Sequence, residues 1–247
     1  MAPEVWLLFL AGAFLAEVVG TIAGFGAATV LTPIAGLFMD IKTAIAVVAC
    51  FHLFGNASRL VFFGRHIRWR VWLQFGATGI LCSLLGAAVT TRLSSAVVTL
   101  AFGLFLLAYV AASLRERARL LPRTPLVLMG GGALSGVIAG LLGTGGAVRS
   151  ACLLAFGLPK EAYLGTSAAI ALIVDTTRLP VYLVGGFIPS RMVPVVLSLV
   201  VVAFAGAACG QWAVRHLSAS VFRRIVLGML VLMGIAMCVS GWRTLSS

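Results

Sequence analysis

Five charged residues lie inside long apolar stretches of this chain: Glu17, Arg59, Arg149, Asp175 and Arg178. An ionisable group at membrane depth is costly, so each of these residues is a functional hypothesis. Three guanidinium groups against two carboxylates leave an excess of positive charge. A guanidinium stays charged when it is buried, and its paired donors fit carboxylate or sulfonate oxygens. The residue types therefore predict a buried site that holds a small anion.

Two of the arginines also have a structural interpretation. Arg178 follows Asp175 by three residues on the same helical face, so the two side chains can form a purely structural ion pair. Arg59 has Asn56 at the corresponding position, and it lies close enough to a basic loop to snorkel toward the interface. We expect Arg59, Arg178 and Asn56 to bind the substrate, with these structural roles as the alternative.

Arg149 has no acid nearby in the sequence, and we expect it to contact the substrate directly; its structural alternative is a pair with Glu17. Glu17 and Asp175 are candidates for proton coupling because a carboxylate in a low-dielectric site can take up protons, although either can instead neutralise an arginine. His52 is a further candidate proton carrier. Ser167 is predicted to line the site, unless its hydroxyl bonds back to its own helix.

The elements that position these residues are predicted to be transmembrane helices. The chain is 62% hydrophobic and 10% charged, whereas soluble domains are about 25% charged. Apolar runs long enough to span a bilayer recur along it. The first run, from Val5, has no basic segment before it, so we expect a retained span and not a signal peptide. The net charge of +12 lies mainly in short loops and indicates topology, not nucleic-acid binding.

The chain contains an internal repeat. Gly20-Thr-Ile-Ala-Gly24 matches Gly136-Val-Ile-Ala-Gly140, and four weaker matches follow in the same order. Many membrane transporters consist of two copies of one unit. We therefore predict one integral membrane domain with repeat 1 over residues 1–118 and repeat 2 over residues 119–247.

Each repeat is predicted to have about five segments, and the first two are a broken or re-entrant helical hairpin. The opening segments, 4–39 and 124–158, are too long for one crossing and short for two. Glycines interrupt both segments, and matched breaks in two repeats indicate a transport site. The alternative is that the glycines only allow close helix packing. The substrate-binding candidates in the breaks are Gly24, Gly26, Gly143, Thr144, Gly145 and Gly146. The remaining spans are predicted at 43–63, 71–91, 95–114, 161–184, 192–213 and 219–241.

Positive charge distinguishes two topologies. We call the five charged residues inside apolar stretches deep, and we set the three deep arginines aside. Parallel halves then place nine Lys and Arg inside and six outside, whereas inverted halves place eleven inside and four outside. The positive-inside rule favours the inverted arrangement. The predicted fold is therefore an all-α polytopic membrane protein with two inverted-topology repeats and with both chain termini outside.

The motifs resemble those of a known family. In the first half they are Gly20-x-x-x-Gly24-x-Gly26 with Pro33 and Gly64-Arg-x-Ile-Arg-Trp-Arg70; in the second half they are Gly143-Thr-Gly-Gly146, Leu158-Pro-Lys-Glu-Ala162 and Gly165-Thr-Ser167. The pattern is similar to the TauE/SafE sulfite exporter family of membrane transporters. The resemblance implies an integral protein of the bacterial inner membrane that moves sulfite, sulfoacetate or related small acids. Arg149 stands where that pattern has an apolar residue.

The expected function is secondary transport of small organic or sulfur-containing anions, with the site between the two glycine-broken hairpins. Proton coupling is left open. A passive anion channel is the closer alternative. A membrane-embedded enzyme is the more distant one, because the deep acids are scattered and no nucleophile–base pair or metal-ligand cluster is evident. No cofactor or metal is expected. The expected partners are the anion and membrane lipid, with no nucleic acid; a homo-oligomer is left open.

The topology is tested by cysteine labelling of intact cells. Residues 65–70 and 215–224 are predicted to lie together on the cytoplasmic side, although they are non-equivalent loops of the two repeats. A cysteine placed at 67 or at 219 should therefore resist a membrane-impermeant thiol reagent. Labelling at 219 without labelling at 67 is incompatible with inverted repeats.

Overall fold

The computed structural model describes residues 3–23, 26–115, 122–213 and 219–246. The predicted site residue Gly24 and the predicted cytoplasmic Arg215 lie outside them. The described residues form ten α-helices: α1 Pro3–Ala23, α2 Ala28–Ala35, α3 Ile41–Phe63, α4 Trp69–Arg92, α5 Ser95–Leu114, α6 Pro125–Leu142, α7 Gly146–Ala155, α8 Lys160–Val184, α9 Val193–Ala213 and α10 Ala219–Ser246. The six spans predicted outside the opening segments correspond to α3, α4, α5, α8, α9 and α10.

Within the described ranges, seven helices are long and apolar enough to cross a membrane: α1, α3, α4, α5, α6, α8 and α9. Their outward faces carry large apolar side chains such as Val61, Leu126 and Val184. The charged residues Glu17 and Arg178 are instead buried. A chain that turns its apolar side chains outward and its charges inward is built for a lipid surrounding. The all-helical integral membrane protein predicted from composition is confirmed.

The first opening segment is a long helix followed by a short one that returns along it. We call the connection between α1 and α2 the first break and that between α6 and α7 the second break. A Cβ on Gly20 would lie 2.3 Å from the backbone nitrogen of Ala27, so α1 and the residue that precedes α2 touch at the first break. Toward the other end, the rings of Phe9 and Phe38 are 5.8 Å apart. Gly26, with φ of 90°, supplies the left-handed backbone that the reversal needs. Helix α2 has eight residues and is roughly 12 Å long, which is far short of a bilayer crossing.

The second opening segment has the same form. The Ser135 hydroxyl donates to the Gly145 carbonyl over 2.8 Å near the break. At the open end, Arg123 Nε donates to the Ala155 carbonyl over 3.0 Å, so the chain returns beside its point of entry. Helix α6 ends at Gly143, whose φ is 77°. A glycine in this left-handed conformation is a common end for a helix because other residues resist it. Helix α7 has ten residues and is also too short to cross alone.

Two pairs of helices run antiparallel across the molecule. On α3 and α8, His52 contacts Asp175, whereas the Phe63 carbonyl lies against Gly165. Residue numbers therefore rise along one helix as they fall along the other. The corresponding close contacts between α5 and α10 are Gly103–Cys238 and Leu100–Gly241. Helices α3 and α8 are predicted repeat mates, and so are α5 and α10.

Two other pairs run parallel, and glycines bring their backbones together. The close contacts are Gly79–Gly136 and Gly86–Gly140 between α4 and α6, and Glu17–Gly206 and Thr21–Gly210 between α1 and α9. The first helix of each opening segment thus packs on a helix from the opposite half of the chain. Small residues at membrane helix interfaces allow this close approach, which improves van der Waals packing. The two halves are therefore interleaved, with one large apolar core shared between them.

The α4–α6 interface is tested by one glycine and a control on the same helix. A Cβ on Gly136 would lie 2.3 Å from the Gly79 carbonyl oxygen, whereas one on Gly130 meets nothing within 4 Å. Gly136→Ala should lower the free energy of unfolding by roughly 1–3 kcal/mol through overpacking. Gly130→Ala should be neutral or stabilising by up to about 1 kcal/mol, because alanine favours the helix. Unfolding in mixed detergent micelles measures both; equal effects would contradict this packing.

Candidate functional site

A buried ion pair joins Arg59 on α3 to Glu17 on α1. Arg59 Nη2 contacts Glu17 Oε1 and donates to Thr21 Oγ1 over 2.9 Å. Its Nη1 donates to Asn56 Oδ1 over 3.1 Å. Arg59 is 6% exposed and therefore does not snorkel to the interface. The predicted site residues Arg59, Asn56 and Glu17 thus lie together, and Arg59 binds the end of the helix that precedes the first break.

Glycines on two neighbouring helices enclose the Glu17 side chain. A Cβ on Gly55 of α3 would lie 2.9 Å from Glu17 Oε1, and one on Gly206 of α9 would lie 2.8 Å from Glu17 Cβ. Among the described residues, neither Glu17 Oε2 nor Arg59 Nε has a hydrogen-bond partner. A buried polar atom without a partner is unusual and calls for an explanation. The pair is thus held in place but retains one free acceptor and one free donor.

Arg178 on α8 uses all five of its N–H donors within the protein. Nε and Nη2 donate to Asp175 Oδ1 over 3.0 and 2.6 Å. The other donors reach the carbonyl oxygens of Ala139 and Gly143 and the Tyr182 hydroxyl. The two carbonyls belong to the last turn of α6 and its cap, where a helix leaves acceptors unpaired and where a cation is favoured. Arg178 therefore fixes the second break.

His52 connects the two halves. Its Nδ1 lies 2.7 Å from Asp175 Oδ2. Because a carboxylate only accepts, Nδ1 carries the proton, and Nε2 of the neutral ring is then an acceptor. In the described part of the molecule Nε2 has no hydrogen-bond partner, and a Cβ on Gly26 would lie 2.6 Å from it. The imidazole therefore faces the first break, and its hydrogen bond joins α3 to α8.

Arg149 on α7 is the deep arginine without a carboxylate in the described residues. Its Nε donates to the Ser167 hydroxyl on α8 over 2.9 Å, and the side chain is 5% exposed. The two buried carboxylates pair with other arginines: Glu17 binds Arg59, and Asp175 binds Arg178. The alternative in which Arg149 pairs with Glu17 is therefore not what the chain adopts.

One small cavity brings several predicted site residues together. Its lining residues are Gly20, Thr21, Gly26, Arg59, Arg149, Leu164, Ser167 and Ala168. These residues come from α1 and its break, α3, α7 and α8. The cavity volume is about 10 Å³, which is roughly the room that one water molecule needs. The cavity therefore combines two guanidinium groups and two hydroxyls in a space that is closed to anything larger.

The two breaks meet beside this cavity. The hydroxyls of Thr29, at the start of α2, and Thr144, before α7, are 2.7 Å apart, and both are buried. Helix α7 begins at Gly146, and its N-cap residue, Gly145, makes no side-chain hydrogen bond to it. The predicted residues Gly143–Gly146 thus form the second break next to the first, and the predicted residue Gly26 lines the cavity together with Gly20.

The sequence interpretation missed Thr21, Thr29 and Tyr182. Tyr182 is fully buried, and its hydroxyl donates to the Gly140 carbonyl over 2.6 Å beside Arg178. A spacing signal was available for two of them. Thr21 follows Glu17 by four residues and Tyr182 follows Arg178 by four, so each lies on the same helical face as its charged neighbour.

A larger cleft of about 270 Å³ lies elsewhere, between α2, α5 and α10. Its lining includes Asp40, Ser95, Thr99 and Met237 and contains no lysine or arginine. An acidic side chain without a compensating cation repels anions. The small cavity around Arg149 is therefore the candidate site, although it is the smaller of the two.

One family model, described as "Sulfite exporter TauE/SafE", matches residues 8–237 of the chain. The match covers both halves and includes every deep charged residue. No curated protein sequence and no solved structure matches the chain.

Arg178 and Arg149 are expected to differ in their effect on stability. Arg178→Lys leaves an ammonium with three donors that cannot reach Asp175, Ala139 and Gly143 together. Each lost charge-assisted hydrogen bond costs about 1.5–3 kcal/mol, so the free energy of unfolding should fall by about that amount or more. Arg149→Lys is the comparison: only its hydrogen bond to Ser167 is at stake, so it should be destabilised clearly less than Arg178→Lys. Thermal unfolding in detergent without added anions compares the two variants with the wild type. Equal stability of all three proteins would contradict the role of Arg178 in fixing the second break.

Proposed function

The chain belongs to the sulfite exporter TauE/SafE family, and on that premise we propose that it is a secondary transporter for small sulfur-containing or organic anions in the bacterial inner membrane. The family is one of membrane transporters, so no enzymatic activity is proposed. The observation that carries the proposal is Arg149: a guanidinium at membrane depth, buried in a cavity, with no carboxylate to neutralise it in the described residues. A buried charge without a counter-ion is strongly unfavourable. A bound anion supplies that counter-ion.

The substrate site is proposed to be the cavity beside the first break. Arg149 and Arg59 both line this cavity, and Arg59 Nε has no hydrogen-bond partner among the described residues. The hydroxyls of Thr21 and Ser167 line two further sides; that of Thr21 donates to Glu17, whereas that of Ser167 accepts from Arg149 Nε. Sulfite and sulfonate groups carry three oxygens, so donors that converge from several helices suit them better than a single cation does. Arg178 is assigned the positioning role, because its donors are already engaged.

The small volume of the cavity supports a carrier mechanism. Its volume of about 10 Å³ has no room for an anion of several heavy atoms, so the elements around it must move apart before binding. The Thr29–Thr144 hydrogen bond joins the two breaks and must be lost if they separate. In many transporters one group of helices rocks against the other around a central site. A protein that moves anions against a gradient in proteoliposomes is a carrier; purely downhill flux would favour a channel.

Inverted repeats with re-entrant hairpins are part of the proposal. The predicted mates α3 and α8 run in opposite directions, and so do α5 and α10. An axis within the membrane plane gives this relation, whereas parallel halves would keep mates aligned. Each opening pair also returns beside its starting point, at Phe38 in one case and Ala155 in the other. Both features support chain termini on the outer side. The excess of Lys and Arg in the loops predicted on the cytoplasmic side supports the same orientation.

The substrate role of Arg149 is tested by Arg149→Lys. Lysine keeps the charge but loses the planar fork, so anion affinity should fall about tenfold or more, as expected when one charge-assisted hydrogen bond of about 1.5–3 kcal/mol is lost. Stabilisation by sulfite or methanesulfonate in a thermal-shift titration measures this, and uptake into proteoliposomes follows it. Arg243→Lys, at an exposed helix end, is the control.

Two results would count against the site. Wild-type affinity in Arg149→Lys places the anion elsewhere in the molecule. Equal losses in Arg149→Lys and Arg243→Lys indicate a general effect of surface charge and not a buried contact.

A further inference from the structure

Glu17 and the cavity share one guanidinium. Arg59 lines the cavity, yet its Nη2 is held by Glu17 Oε1. Glu17 itself is fully buried. Its charge is therefore felt inside the cavity through Arg59, and any change in that charge alters what the cavity can hold. This makes Glu17 different from an acid at the surface, where solvent screens such changes.

The buried charges leave a definite balance. In the described residues, the deep cations are Arg59, Arg149 and Arg178, and the deep carboxylates are Glu17 and Asp175. With His52 neutral, three positive and two negative charges leave a net charge of +1. One monovalent anion neutralises this cluster. A divalent anion would leave one uncompensated negative charge in a low-dielectric site, which is strongly unfavourable unless a proton arrives with it.

We propose that Glu17 sets the charge of the anion that the site accepts. Monovalent anions bind while Glu17 is ionised, and divalent anions bind together with one proton that Glu17 takes up. The inference rests on the transport function proposed above. The only bond that changes is an O–H bond: hydronium or the buffer acid gives its proton to a carboxylate oxygen of Glu17, and the proton is released again when the anion leaves. Sulfite with one proton then has the same net charge as hydrogensulfite, and the proton and anion travel in the same direction.

The contacts explain why the proton goes to Glu17. Its Oε2 has no hydrogen-bond partner among the described residues, so protonation there breaks no existing bond while Oε1 remains with Arg59. The charged group that faces Glu17 is Arg59 from α3; α9 presents Gly206, and α1 presents the Thr21 hydroxyl. Neutralising Glu17 releases the charge of Arg59 toward the cavity that Arg59 lines.

The other two titratable groups are less suitable. Asp175 accepts from Arg178 through Oδ1 and from His52 through Oδ2, so protonation of either oxygen would weaken an existing charge-assisted hydrogen bond. His52 has a free Nε2, but that atom faces Gly26 and the ring is not among the residues that line the cavity. A second proton on His52 would place its charge beside Asp175, one helix away from Arg149.

Isothermal titration calorimetry of the full-length protein in detergent tests the proposal. Methanesulfonate serves as the monovalent probe and sulfate as the divalent one, between about pH 6 and pH 8, where neither probe changes charge. Titrations in buffers of different ionisation enthalpy give the number of protons taken up. The wild type should take up none with methanesulfonate and about one with sulfate. Sulfate affinity should then fall by up to tenfold for each unit of rising pH, as one bound proton requires.

The variant Glu17→Gln tests whether Glu17, and not His52, takes up the proton. Glutamine is neutral and nearly the same size, so it mimics the protonated carboxyl. The variant should bind sulfate with no proton uptake and no pH dependence, and its preference should shift from methanesulfonate toward sulfate by tenfold or more. Glu161→Gln, at an exposed position on α8, is the matched control and should behave as the wild type. His52→Asn should still take up one proton with sulfate.

The outcomes distinguish this inference from the proposed function. Proton uptake with sulfate that persists in Glu17→Gln, or that disappears in His52→Asn, overturns the role of Glu17 while transport stands. Failure of the wild type to bind either probe counts against the proposed site itself. If Glu17→Gln does not fold, infrared difference spectra of the wild type decide: a protonated carboxyl band should appear with sulfate and not with methanesulfonate. Its absence with sulfate overturns the proposal.

Discussion

The cost of a charge without a counter-charge governs the centre of this protein. In a lipid surrounding, water cannot solvate a buried guanidinium, so each arginine needs a partner within the protein or a ligand. Arg59 finds Glu17, and Arg178 finds Asp175. Both arginines also bind a helix end beside a glycine break: Arg59 reaches Thr21, and Arg178 reaches Gly143. The pairs that neutralise charge are therefore the same contacts that hold the helix ends at the two breaks, and in the described residues Arg149 is the buried arginine without a carboxylate partner.

The sequence predicted the fold well because its strongest signals are local. Apolar runs located the spans to within a few residues, apart from the longer C-terminal end of α10 at Ser246. Glycine clusters located the two breaks, since few other features interrupt an apolar helix. Asp175 and Arg178 were predicted as a possible pair because they are three residues apart, and the structure has that pair. Each of these inferences needs only the periodicity of one segment.

The partners of the remaining charges could not be predicted, because they depend on how helices pack. Arg59 and Glu17 are 42 residues apart, and His52 and Asp175 are 123 apart. The sequence offered two acids and three arginines with several possible pairings, and only the packing decides among them. Packing also determines that Arg178 has no donor left and that Ser167 faces Arg149 and not its own helix. The sequence identified the charged residues and one of their pairs, but not the Arg59–Glu17 and His52–Asp175 contacts.

The location of the ion pairs has a consequence for biogenesis. Arg59 and Glu17 both belong to the first half of the chain, and Arg178 and Asp175 both belong to the second. The nascent chain emerges from the ribosome in order. Each half can therefore compensate these four charges while it enters the bilayer, before the interleaved contacts of α1 with α9 and α4 with α6 are complete. The His52–Asp175 hydrogen bond, like the Thr29–Thr144 bond between the two breaks, has to wait for the halves to meet.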